Sequence, residues 1–171
     1  RDLEVMEEHH NSDFLGKEKL EAWGAAALEK GDIIAIRGIG QLYKNGNGVP
    51  KDPNSALAYY EAAAELGDTY AMCECGLLLE YDRTTEAIDW YHRAADLGSA
   101  RAMNLLGDLY YFGLYSDKDI DLALEWYLRA YESDNTINLC SFIGSCYSQQ
   151  KDFENAMDWY LRGAESFNDG N

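Results

Sequence analysis

Four stretches of this chain repeat one pattern, and that repetition limits the possible folds more than any other feature. They run over residues 35–67, 71–98, 102–134 and 139–167. Their starts are 36, 31 and 37 residues apart (71−35, 102−71, 139−102). Each opens with a small or apolar residue, an apolar residue four later, then glycine, then usually tyrosine. The members are Ala35, Ile39, Gly40, Tyr43; Ala71, Cys75, Gly76; Ala102, Leu106, Gly107, Tyr110; and Leu139, Ile143, Gly144, Tyr147. The i, i+4, i+8 spacing places the apolar members on one stripe of a helix. Glycine inside a helix costs about 1 kcal/mol against alanine, so its return needs a reason. Close approach of a neighbouring helix backbone is the expected one.

A second helix follows in each unit, carrying alanine, an aromatic pair and small residues. Examples are Ala56, Tyr59, Tyr60, Ala63, Ala64 and Ala87, Trp90, Tyr91, Ala94, Ala95. The later copies give Ala123, Trp126, Tyr127, Ala130 and Ala156, Trp159, Tyr160, Ala164. The recurrence of the pairs at one place reads as core packing rather than a ligand box. Gly67 and Gly98 are placed to end the second helix with a left-handed cap.

The pattern resembles the SEL-one-like repeat (SLR) family, a relative of the tetratricopeptide repeats. The first copy matches nearly throughout, including the loop residues Gly46, Gly48, Val49 and Asp52. The third keeps Gly113 and Asp119 but has Tyr115 where a glycine is usual, and the second and fourth lack the loop. The resemblance implies an all-α fold, a right-handed α-α superhelix of about four to five helix-pair repeats, because such units bury their faces only by stacking. Residues 1–171 are expected to form this single solenoid. Leu20, Trp23, Ala27 and Gly31 match the second helix of a decayed unit over 1–31. With Glu4, Glu7, Glu8, Lys17 and Lys19, that unit is expected to cap the N-terminal end. At the other end Met157, Trp159, Tyr160 and Leu161 run almost directly into the tail 168–171. Their apolar face is expected to be covered by a second copy, as a homodimer, or by further chain.

The formal charge is −17, from 31 acidic and 14 basic residues. The excess falls in every repeat, so the body repels nucleic acid and anionic lipid. No apolar run approaches the roughly 18 residues that cross a bilayer. Cys73, Cys75, Cys140 and Cys146 all lie on first helices, so they cannot staple the two helices of a unit. They read as reduced, mostly buried thiols, which suits a cytoplasmic location. His9 and His10 are adjacent and point about 100° apart on a helix, a poor chelate. No phosphate loop or nucleophile motif is present, so no catalytic residue, metal or cofactor is expected.

In related solenoids the first helices line a concave face. Position by position, that implies Ile34, Arg37, Gln41 and Lys44 in the first unit, and Tyr70, Cys73, Leu77, Glu80 and Tyr81 in the second. The third contributes Arg101, Asn104, Asp108, Tyr111 and Phe112, and the fourth Asn138, Ser141, Ser145 and Ser148. All are expected to avoid the buried stripe. Arginine beside tyrosine is the usual composition of interface hot spots. The expected function is therefore non-enzymatic capture of a peptide or protein on this face. The alternative is an acidic, immunity-type inhibitor that neutralises a basic enzyme or toxin.

Overall fold

The computed structural model describes residues 16–114, 117–134 and 139–168. Every regular element among them is an α-helix. They are α1 (Lys17–Lys30), α2 (Ile33–Asn45), α3 (Pro53–Glu65), α4 (Thr69–Leu79), α5 (Thr84–Asp96), α6 (Ala100–Phe112), α7 (Ile120–Asp134), α8 (Leu139–Gln149) and α9 (Phe153–Asn168). Each expected repeat is one consecutive helix pair. The chain divides into two compact units, the first ending at Leu78 and the second beginning at Leu79.

In the first unit, Asp32 starts α2 by accepting a hydrogen bond from the Ala35 amide at 3.1 Å. Asp52 does the same for α3, accepting from the amides of Asn54 and Ser55, with Pro53 in the first turn. These carboxylates satisfy amides that have no partner within the helix and sit at its positive end. Ile36 and Ile39 of α2 and Ala56, Tyr60 and Ala63 of α3 form the core, while Leu20 and Ala27 anchor α1. Gly67 and Gly98 carry φ of 91° and 85°, the left-handed conformation expected at the ends of α3 and α5.

The repeated first-helix glycine answers to a ring of the second helix, with the expected backbone approach beside it only at Gly40. A Cβ at Gly40 would lie 3.1 Å from the Tyr60 ring, and only 3.3 Å from the backbone oxygen of Ala56. At Gly107 the ring dominates completely: a Cβ would stand 2.5 Å from Tyr127 Cε1. The glycine makes a flat seat for the second tyrosine of its own unit's aromatic pair. That explains why Tyr60 and Tyr127 are among the largest fully buried side chains.

In the second unit, α6 packs on α7, α7 on α8 and α8 on α9. Ser99 caps α6, Asp119 caps α7 and Asp152 caps α9. The turn into α9 lacks the long loop and instead places Lys151 at φ 65°, a left-handed conformation unusual for a residue with a side chain.

Candidate functional site

The first unit engages two of its predicted groove cations, Arg37 and Lys44, internally. Arg37 on α2 donates to Asp68 Oδ2 at 3.0 Å, and its guanidinium lies 5.3 Å from the Tyr70 ring centroid. Asp68 in turn caps α4, accepting from the amides of Tyr70 and Ala71. Lys44 pairs with Glu74, whose side chain is almost wholly buried. Gln41 is exposed, Tyr70 and Ile34 are exposed, and Leu77 is half-buried. Cys73 departs from the expectation: it is fully buried and cannot line a groove. The helix around it is buried at six consecutive positions, 71–76, so its accessible face is narrower than a periodic pattern implies.

In the second unit Tyr81 stands 90% exposed just after α4. Glu80 is half-buried, and its carbonyl accepts from Thr84 Oγ1. On α6, Arg101 and Asn104 are half-buried, and Arg101 Nη1 and Asn104 Oδ1 lie out of reach of solvent. Asp108, Tyr111 and Phe112 sit toward the helix C-terminus, Phe112 with 56% of its surface exposed. The hydroxyl of Tyr127 on α7 donates to Asp108 Oδ1 at 2.7 Å. Burial pushes the Asp108 carboxyl above the ordinary carboxylate range, and the Tyr127 hydroxyl offsets part of that. Burial likewise raises the Tyr127 phenol, reinforced by Asp108.

The Tyr127 ring belongs to a cluster with three others. Tyr111 lies 4.9 Å from Phe112, 6.2 Å from Tyr127 and 6.1 Å from Phe142, edge to face with the first and last, while Tyr127 and Phe142 are 5.4 Å apart. On α8, Ser141 is exposed, Ser145 donates back to the Ser141 carbonyl, and Ser148 is half-buried. Asn138, Tyr115, His9, His10, Glu4, Glu7 and Glu8 lie outside the described residues.

A repeated Trp-x-x-Arg on the second helices adds a feature outside the predicted face. Arg93, Arg129 and Arg162 each stack over the tryptophan three residues earlier, at 4.2, 4.2 and 4.8 Å from Trp90, Trp126 and Trp159. The i, i+3 spacing on one helix face was the available signal.

The four cysteines are buried and none is joined in a disulfide. Burial pushes the Cys146 thiol up to about 11. Among the described residues, no cluster of histidine, cysteine and carboxylate is placed to hold a metal, and no helix is long and apolar enough to cross a membrane. An apolar groove of about 470 Å³ between α1 and α2 is lined by Leu20, Trp23, Ala35, Gly38, Ile39 and Leu42, and offers a ligand no charged group. On α9, Phe153, Met157, Tyr160 and Leu161 are exposed; Tyr160, unlike Tyr127, has 41% of its surface accessible.

The sequence profile of the Sel1 repeat matches residues 33–68, 70–99, 100–135 and 138–166. The chain is 34% identical over 113 residues to the chitin synthase regulator SKT5 of Saccharomyces cerevisiae, covering 61% of this chain and 16% of that protein. A Sel1 repeat protein from Oxalobacter formigenes is similar in structure, with TM-score 0.69 and 34% identity over 78% of this chain and 57% of the other. So is c5321, a protective antigen of uropathogenic Escherichia coli strains with an SLR fold: TM-score 0.73, 29% identity, 85% of this chain and 33% of that one. The chain therefore spans less than two thirds of each of these proteins.

Proposed function

Because the chain belongs to the Sel1 repeat family, we propose that it holds another protein, performs no chemistry of its own, and grips its partner through first-helix faces. Helical repeats of this type serve as protein-interaction modules. The finer reading concerns where the partner lies. One observation supports α6: a large apolar ring, Phe112, stands 56% exposed next to a half-buried carboxylate on the same helix face. An exposed aromatic beside a polar group with unused bonding capacity is the composition of an interface anchor. The first unit is less suited, since Arg37 and Lys44 are already engaged by Asp68 and Glu74. The α6 face suits a peptide or a protein loop.

The test is affinity capture with the chain and its Phe112→Ser variant, using Leu97→Ser, which removes an equally exposed side chain from the α5–α6 turn, as control. The partner should be lost with Phe112→Ser and kept with Leu97→Ser, at unchanged helicity. Retention by Phe112→Ser would move the site off α6.

The −17 charge favours a second reading, in which the partner is a basic enzyme or toxin that the chain neutralises. Association with the captured partner should then slow steeply with added salt; a salt-insensitive rate would rule this reading out.

A further inference from the structure

We propose that Asp108, with Tyr111 and Phe112, forms a seat for one lysine or arginine side chain of the partner. This rests on the reading of α6 as the binding face and adds the chemistry of its central contact. Tyr111 and Phe112 follow Asp108 by three and four residues, so the carboxylate and both rings share one helix face. Asp108 keeps a single hydrogen-bond partner, the Tyr127 hydroxyl on Oδ1, and Oδ2 has no donor among the described residues. Tyr127 itself is fully buried and packed against Phe142, so the hydroxyl that holds Oδ1 is fixed in place.

A half-desolvated anion with one unused oxygen, at the edge of four rings, is an unfavourable arrangement in the absence of a cation. Burial penalises the charged carboxylate, as its raised pKa reflects. An ammonium or guanidinium on Oδ2 would relieve that penalty, and the ring faces would add cation–π attraction. Tyr111 already carries a cation of this chain, Lys118 Nζ at 4.9 Å from its centroid, so the added ring attraction falls mainly to Phe112, which is 56% exposed. Neutral polar ligands would gain neither term.

The experiment is a two-dimensional NMR titration of the full chain with acetyl-Gly-Arg-Gly-amide and acetyl-Gly-Lys-Gly-amide, with acetyl-Gly-Gln-Gly-amide as the neutral probe. Saturable shifts confined to Asp108–Phe112 are expected with the two cationic peptides and not with the neutral one. Asp108→Asn keeps an oxygen for the Tyr127 hydroxyl but removes the charge, and should weaken binding roughly tenfold or more. Glu125→Gln removes the same charge from an exposed position on α7 and should leave binding unchanged. Binding by Asp108→Asn equal to the parent, or shifts spread evenly over the acidic surface, would overturn the seat. The partner capture separates the two failures. A partner lost with Phe112→Ser but retained by Asp108→Asn keeps the face and refutes the seat, whereas retention by both variants refutes the face itself.

Discussion

Replacing Gly107 with alanine tests the packing rule that organises each repeat. The added Cβ would lie 2.5, 2.6 and 3.0 Å from three ring atoms of Tyr127, where ordinary contact begins at 3.4 Å. The nearest shortfall is 0.9 Å (3.4−2.5), and the ring has nowhere to go. Tyr127 is fully buried, its hydroxyl is bonded to Asp108, and Phe142 lies 5.4 Å away. Overpacking of a pinned ring belongs at the upper end of the usual 1–3 kcal/mol, so about 3 kcal/mol. Alanine returns about 1 kcal/mol of helix propensity, leaving a net loss of about 2 kcal/mol. For a chain of this size that lowers Tm by about 4–8 °C. Two other glycines calibrate the argument. A Cβ at Gly38 meets nothing within 4 Å, so Gly38→Ala should raise Tm by about 2–4 °C through propensity alone. At Gly144 the obstructing ring is Tyr160, which is 41% exposed and can swing outward, so Gly144→Ala should be near neutral. Calorimetry on the three variants decides the matter. If Gly107→Ala melts at or above the parent temperature while Gly38→Ala rises, the ring seat is not what demands glycine.

Lys44→Met keeps the aliphatic stem but leaves the buried Glu74 carboxylate without its ammonium; since Lys44 is itself 33% exposed, the expected loss is about 1–3 kcal/mol in urea unfolding. Asp108→Asn should do the opposite and stabilise the chain near neutral pH. The folded-state carboxyl is raised above its unfolded value, so folding favours the protonated form and penalises the anion as pH rises. The gain in Tm should therefore be present at pH 7 and vanish below the ordinary aspartate range, where the parent is protonated in both states. A variant that is more stable yet binds cationic peptides less well would separate loss of the seat from loss of fold.

The repeat period, the helix pairs and the apolar stripes were legible from sequence because each is a local matter. An i, i+4 spacing defines a helix face whatever lies opposite, and a glycine or aspartate at a helix end acts on its own backbone. The burial of Tyr60, Tyr91 and Tyr127 followed for the same reason, whereas Tyr160 on α9 is 41% exposed. What the sequence alone left undetermined depends on which side chains meet across helices. Arg37 and Lys44 fall on the expected binding face, but Asp68 and Glu74, 31 and 30 residues further on, engage them. Cys73 occupied an apparently outward register, yet every position from 71 to 76 is buried, so periodicity could not distinguish its face. Recurrence marks the first-helix glycine, but the second-helix ring it faces, joined at Gly40 by the Ala56 backbone oxygen, appears only once both helices are placed. Asp108 is the sharpest case. In sequence it is one of 31 carboxylates, and only the packing of α6 on α7 withdraws it from water, gives it the Tyr127 hydroxyl and leaves it at the edge of a ring cluster.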